Sequence, residues 1–151
     1  MDIQTTKTYR PSPKIMLLRM LLVIAVIVGI SFAIPYHSLP GLAAVPVILT
    51  LLFVMRMTVE GTEVIAIAST KVELGKFLGK QIILMRSIQY IRSVSHLGLH
   101  YIVIETDKDS FRMGGFLSAR EKKEVVANIM EHIRVNIPEN FFYVKRKVDK
   151  F

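Results

Sequence analysis

The sequence predicts an α+β membrane protein: a transmembrane helical hairpin over residues 15–58, then a small β domain over residues 59–138 closed by a C-terminal helix. Three observations lead there. From Met20 to Met55 there is no Asp, Glu, Lys or Arg in 36 consecutive positions. That tract is broken near its middle by Pro35-Tyr36-His37-Ser38-Leu39-Pro40-Gly41. After Arg56 the pattern turns to short β-rich runs punctuated by glycine, with one amphipathic stretch near the end.

Residues 1–14 read as a basic tail carrying Lys7, Arg10 and Lys14. A single helix over the uncharged tract would be about 54 Å long at ~1.5 Å per residue, far more than the roughly 30 Å hydrocarbon core of a bilayer. Proline removes a backbone donor and disfavours helix just before itself. The tract therefore reads as two helices, about residues 15–34 and 39–57. A second apolar run follows the first directly and no small-residue cleavage site separates them, which argues against a cleaved signal peptide. Arg19 lies one turn inside the first helix and reads as an interfacial anchor that snorkels to the headgroups. Pro46 reads as a kink. Gly29 and Ser31 on the first helix, with Ala43 and Ala44 on the second, are the small residues expected to let helices pack closely. Lys7, Arg10, Lys14, Arg19 and Arg56 flank the hairpin, while its turn carries only His37. By the positive-inside rule both termini are expected in the cytoplasm, in a membrane such as the bacterial inner membrane.

Within 59–138, Glu63–Ala68, Lys80–Met85, His100–Glu105 and Ser110–Met113 read as strands, the last two joined by a turn at Asp107-Lys108-Asp109. Residues 87–94 fit two patterns: Ile88 and Ile91 suit a helical turn, Ile88, Tyr90 and Arg92 a strand. Ser118-Ala119-Arg120-Glu121 fits a capping box. Beyond it Val125, Val126, Ile129, Met130 and Ile133 make one apolar stripe, and Pro138 marks the end. Residues 139–151 form an aromatic and basic tail, Phe141, Phe142, Tyr143, Lys145, Arg146 and Lys147, of the composition found in interfacial segments.

The 151 residues carry a net charge of +8 and contain neither cysteine nor tryptophan. The missing cysteine excludes disulfides, thiol catalysis and cysteine-ligated metals. Basic charge beside a bilayer points to anionic headgroups, and no nucleic-acid motif accompanies it. His96 and His100 lack a third ligand, and Glu105, Asp107 and Asp109 lack the glycine and closing glutamate of a calcium loop. There is no nucleophile elbow or phosphate-binding glycine loop. The sequence therefore points to no metal, no cofactor and no small-molecule substrate.

From Tyr101-Ile102-Val103-Ile104-Glu105-Thr106, through Asp109-Ser110-Phe111-Arg112-Met113-Gly114-Gly115-Phe116-Leu117-Ser118, into the helix at Glu121–Ile133, the chain resembles bacterial PH-like membrane proteins with two transmembrane helices. The resemblance covers residues 16–137 in layout and 100–133 in motif. It implies a curved, partly closed β-sandwich or barrel with a capping helix, and a binding or scaffolding role without catalysis. Relatives that bind phosphoinositides use a basic cluster in the first hairpin. Lys71, Lys76 and Lys80 fall in that region here, but isoleucine stands at position 82, where those relatives have arginine. Two functions are expected from this reading. The first is a non-catalytic accessory or assembly subunit of a larger membrane complex, with other integral membrane subunits as partners. The alternative is a free-standing module for anionic lipid surfaces that uses Lys76, Lys80 and the basic tail.

Overall fold

Most of the uncharged tract folds into two helices, α1 (Pro13–Ala33) and α2 (Ala44–Gly61). The computed structural model describes residues 6–33, 44–96 and 98–145. The expected Pro35–Gly41 turn lies outside them. Proline suits the first turn of a helix, where its missing N–H has no partner to lose, and the Ser12 carbonyl accepts from the Met16 N–H at 3.1 Å. Both helices are long and apolar enough to cross a membrane. Apolar side chains surround them on all sides rather than forming one stripe. Their hydroxyls bond within the helix: Ser31 to the Ile27 carbonyl at 2.8 Å, Thr50 to that of Pro46 at 2.7 Å, Thr58 to that of Val54 at 2.9 Å. α2 runs four residues past the expected end at Met57, and in this last turn Arg56 and Glu60 pair at 2.9 Å.

The basic tail expected over residues 1–14 contains a strand. β1 (Lys7–Tyr9) pairs antiparallel with β2 (Val64–Ile67), Thr8 opposite Ala66. Three residues are too few to show a period; Tyr9 marks the strand through its burial in the core at 6% exposure. The pairing joins the chain just before α1 to the chain just after α2, so both ends of the helical pair meet at one place.

β3 (Lys71–Lys76) is a strand the sequence reading passes over. Its inward Val72 and Leu74 alternate with outward Lys71 and Glu73. β4 (Gly79–Leu84) completes a four-stranded sheet in the order β1-β2-β3-β4. After a 3₁₀ turn at Met85–Ser87 comes a three-stranded sheet of β5 (Ile88–His96), β6 (Leu99–Thr106) and β7 (Ser110–Met113). The two patterns in residues 87–94 have one cause. β5 is a strand whose register shifts between Ile88 and Tyr90, and the extra residue turns both Ile88 and Ile91 into the core.

α3 (Ala119–Asn136) begins with the expected capping box: Ser118 accepts from the Glu121 N–H at 3.2 Å, and Glu121 accepts from the Ser118 N–H at 2.7 Å. Pro138 ends it and opens α4 (Pro138–Lys145), so part of the expected tail is helical. Asn136 and Asn140 donate to the carbonyls of Ser69 and Arg86 at 3.1 and 2.8 Å, tying these helices to the first sheet and the 3₁₀ turn. The core lies between the sheets and α3, around Ile65, Leu74, Ile83, Ile91, Ile104 and Ile129. A smaller cluster of Leu99, Tyr101 and Phe116 packs on Ile15, Met16 and Met57 at the ends of the long helices.

Candidate functional site

Four separated stretches of chain meet where the helices join the β domain. Glu60 of α2 accepts from the Tyr101 hydroxyl at 2.9 Å, and Arg56 donates to the same hydroxyl at 3.0 Å. With the Arg56–Glu60 contact these three side chains close a ring, each satisfying the others. The Tyr101 ring lies on Gly115, where a Cβ would stand 2.6 Å from Cε1, and 5.4 Å from the Arg112 guanidinium. Burial pushes the Tyr101 hydroxyl above its ordinary value, so at neutral pH it stays a donor. Beside it the Gly114 N–H donates to Glu63 at 2.7 Å, from a backbone with φ +73° that favours glycine. Burial raises the Glu63 carboxyl, opposed by the Gly114 bond and the nearby Lys76 charge. The Arg19 guanidinium lies beside Gly98 and near Lys122, whose ammonium is pushed down by burial and then by the Arg19 charge.

A groove opens next to this joint, on the outward face of the three-stranded sheet. Strand register sets Arg92 beside Val103 and Val103 beside Arg112, while their neighbours Ile91, Ile102 and Met113 turn into the core. Lys76 and Gln81 of the β3–β4 hairpin line the facing side, and the groove measures about 720 Å³. Among the described residues that line it, three cations thus share one concave surface with one carboxylate, Asp109. Arg92 reaches Glu105 through Nη2 at 2.7 Å. Its Nε is buried with no hydrogen-bond partner among the described residues. A buried donor left unsatisfied costs about 1–3 kcal/mol; it is the cationic lining, Lys76 and Arg112 with Arg92, that suits the groove to a negatively charged ligand. It runs between β4 and β7, each at the edge of its sheet. A neighbouring hollow of about 300 Å³ extends it past Ile82, Leu84 and Phe111.

The residues singled out from sequence fall in different places. Lys76 lines both the groove and the cavity at the joint. Lys80 turns to the other side of the hairpin, where it and Lys71 hold Glu73 at 2.6 and 2.8 Å and keep that carboxyl below the ordinary range. Phe141 packs against the core, while Phe142 and Tyr143 are 70% and 49% exposed. Lys145 ends α4; Arg146 and Lys147 lie outside the described residues. Gly29 has no atom within 4 Å of where a Cβ would stand, and Ser31 bonds within its own helix. Ala44 opens α2 and is exposed, and Ala43 lies outside the described residues. The helices touch instead at Gly61, against which the flexible end of the Met16 side chain rests. Sequence reading misses Arg92, Arg112 and Tyr101 as a group because strand register brings them together. The only local signal was the four-residue spacing of Arg56 and Glu60.

No family model matches the chain, and neither the curated proteins nor the solved structures contain a significant match to it.

Proposed function

We propose that the chain is an integral membrane protein with a PH-like β domain, acting as a non-catalytic accessory or assembly subunit of a larger membrane complex. Exposed apolar surface supports insertion: Leu18, Leu22, Phe32, Leu51 and Met55 are 69%, 60%, 87%, 60% and 65% exposed. Contiguous apolar surface of this extent marks contact with lipid or with other proteins. The β1–β2 pairing supports a hairpin whose two ends emerge on one side. Lys7, Arg10, Lys14, Arg19 and Arg56 then make that side cytoplasmic, as at a bacterial inner membrane. Two orthodox antiparallel sheets closed by a helix support the PH-like reading.

The observation that carries the docking role is the groove that Lys76, Arg92 and Arg112 line together. An extended acidic segment of a partner subunit would match these cations and add along the edge of β4 or β7. The test is purification of the tagged chain in mild detergent, followed by mass spectrometry. Membrane subunits should co-purify in fixed stoichiometry with the native chain and be lost from the Arg92→Glu/Arg112→Glu variant. A native chain that purifies alone overturns the accessory role. The second reading, a free-standing anionic-lipid module, draws on Lys76 beside the end of α2, on Lys80 and on the basic tail. It requires that the solitary protein bind anionic vesicles with an affinity that falls as salt rises.

A further inference from the structure

The β3–β4 connection is a two-residue turn, closed by the Lys76–Gly79 pair, with Phe77 and Leu78 at its apex. Such turns normally carry Asn, Asp or Gly. Here the apex side chains are 61% and 87% exposed, and Leu78 is the most exposed large apolar residue of the β domain among the described residues. The φ of +144° at Gly79 supplies the backbone freedom, so Phe77 and Leu78 are not needed for the bend. They are large, apolar and unsupported by the core, and Lys76 and Lys80 bracket them.

Their position narrows what covers them. Val64, three residues beyond the end of α2, pairs with Gly75, two residues before Phe77. Lys76 shares a cavity wall with Val59 and Glu60 from the last turn of α2. The apex therefore stands beside the end of the apolar helices. We propose that Phe77 and Leu78 enter the boundary between lipid headgroups and acyl chains next to α2, as a third point of membrane attachment beside the two helices. Lys76 and Lys80 flank the insertion at the level of anionic headgroups. This rests on the reading that α1 and α2 cross a bilayer. Its consequence is a domain held at one tilt, which fixes the direction in which the groove faces.

The chain has no tryptophan, so one introduced tryptophan reports one site. Leu78→Trp probes the apex, Val26→Trp the middle of α1, and Lys108→Trp the exposed β6–β7 turn. Each full-length variant is reconstituted in phosphatidylcholine–phosphatidylglycerol vesicles containing lipids brominated either near the headgroup or near the acyl terminus. Leu78→Trp should show blue-shifted emission and about two-fold stronger quenching by the shallow bromines, as expected for burial ~5–10 Å deep. Val26→Trp should be quenched mainly by the deep bromines, and Lys108→Trp by neither. If Leu78→Trp is quenched no more than Lys108→Trp while Val26→Trp is quenched, the insertion is refuted and the membrane crossing stands. Blue-shifted emission at Leu78→Trp without lipid quenching refutes it too, because protein, such as a second copy of the chain, then covers the apex. Loss of quenching at Val26→Trp removes the membrane crossing and the insertion together.

Discussion

Gly115 carries the Tyr101 ring where any side chain would overlap it, at 2.6 Å from Cε1 to a Cβ. The ring is pinned by Arg56, Glu60 and Arg112 and has nowhere to retreat. Gly115→Ala should therefore destabilise the protein by about 1–3 kcal/mol, the usual range for overpacking, read as a lowered unfolding midpoint in detergent. An unchanged midpoint would mean that the joint is loose. Two carboxylates set opposite pH responses. Glu63 in the folded chain holds its proton to a higher pH than the ordinary 4.5, because it is buried. The folded state then binds more protons than the unfolded one, so this group's contribution to stability falls as pH rises from the ordinary value through the raised one. Glu63→Gln keeps an acceptor for the Gly114 N–H and removes that loss, so its midpoint relative to the native chain should climb with pH over that interval. Glu73 is lowered by Lys71 and Lys80. Its contribution is present above the ordinary value and fades as pH drops towards the lowered one. Glu73→Gln should therefore be the less stable protein at neutral pH and lose that deficit in acid. Parallel pH profiles for native and variant proteins would contradict either assignment.

At the scale of elements, α3 was legible because two independent local signals agree. Its apolar stripe repeats at helical spacing, and the Ser118–Glu121 box fixes its start. Ser118→Ala should cost about 1 kcal/mol and Ile129→Ala, fully buried in the core, about 2–5 kcal/mol; equal effects in thermal melts would contradict this ordering. β1 was not legible. It has three residues and gains its conformation from Tyr9, which packs in the core and bonds Asn128 of α3. Tyr9→Ala should cost about 3 kcal/mol, as for other buried aromatics, and speed amide exchange at residues 7–9 and 65–67 while α3 remains protected. β5 was half legible: the bulge that puts Ile88 and Ile91 on one face imitates a helical repeat. The groove was the least legible part, since Lys76, Arg92 and Arg112 lie on three strands and each alone reads as an ordinary solvated charge.

Across the whole molecule, the chain leaves the β domain at Tyr9, passes through both helices and returns at Val64 to pair with the strand it left. The helical pair is thus inserted between two paired strands of the domain rather than appended to one end of it. Because the chain has no cysteine, Thr8→Cys/Ala66→Cys is a clean test of that closure. Directly opposed residues in an antiparallel pair have Cα atoms about 4.5–5.5 Å apart, within disulfide reach, so mild oxidation in vesicles should cross-link the pair within one chain. A Thr8→Cys/Glu73→Cys control, two strand spacings or about 9–10 Å apart, should not close, and absence of the first bond would separate β1 from the domain. The amino-acid order alone determined the two apolar helices, the switch to β structure after Arg56 and the capped α3, because each is written in the local period of apolar residues or in a short-range hydrogen bond. Only the tertiary structure decided that the basic N-terminal segment contributes the strand Lys7–Tyr9, that Arg56, Glu60 and Tyr101 form one joint, and that Lys76 parts company with Lys80 to face Arg92 and Arg112. Those relations depend on which strands pair and in what register, and register is settled by burial of the whole core rather than by any neighbouring residue.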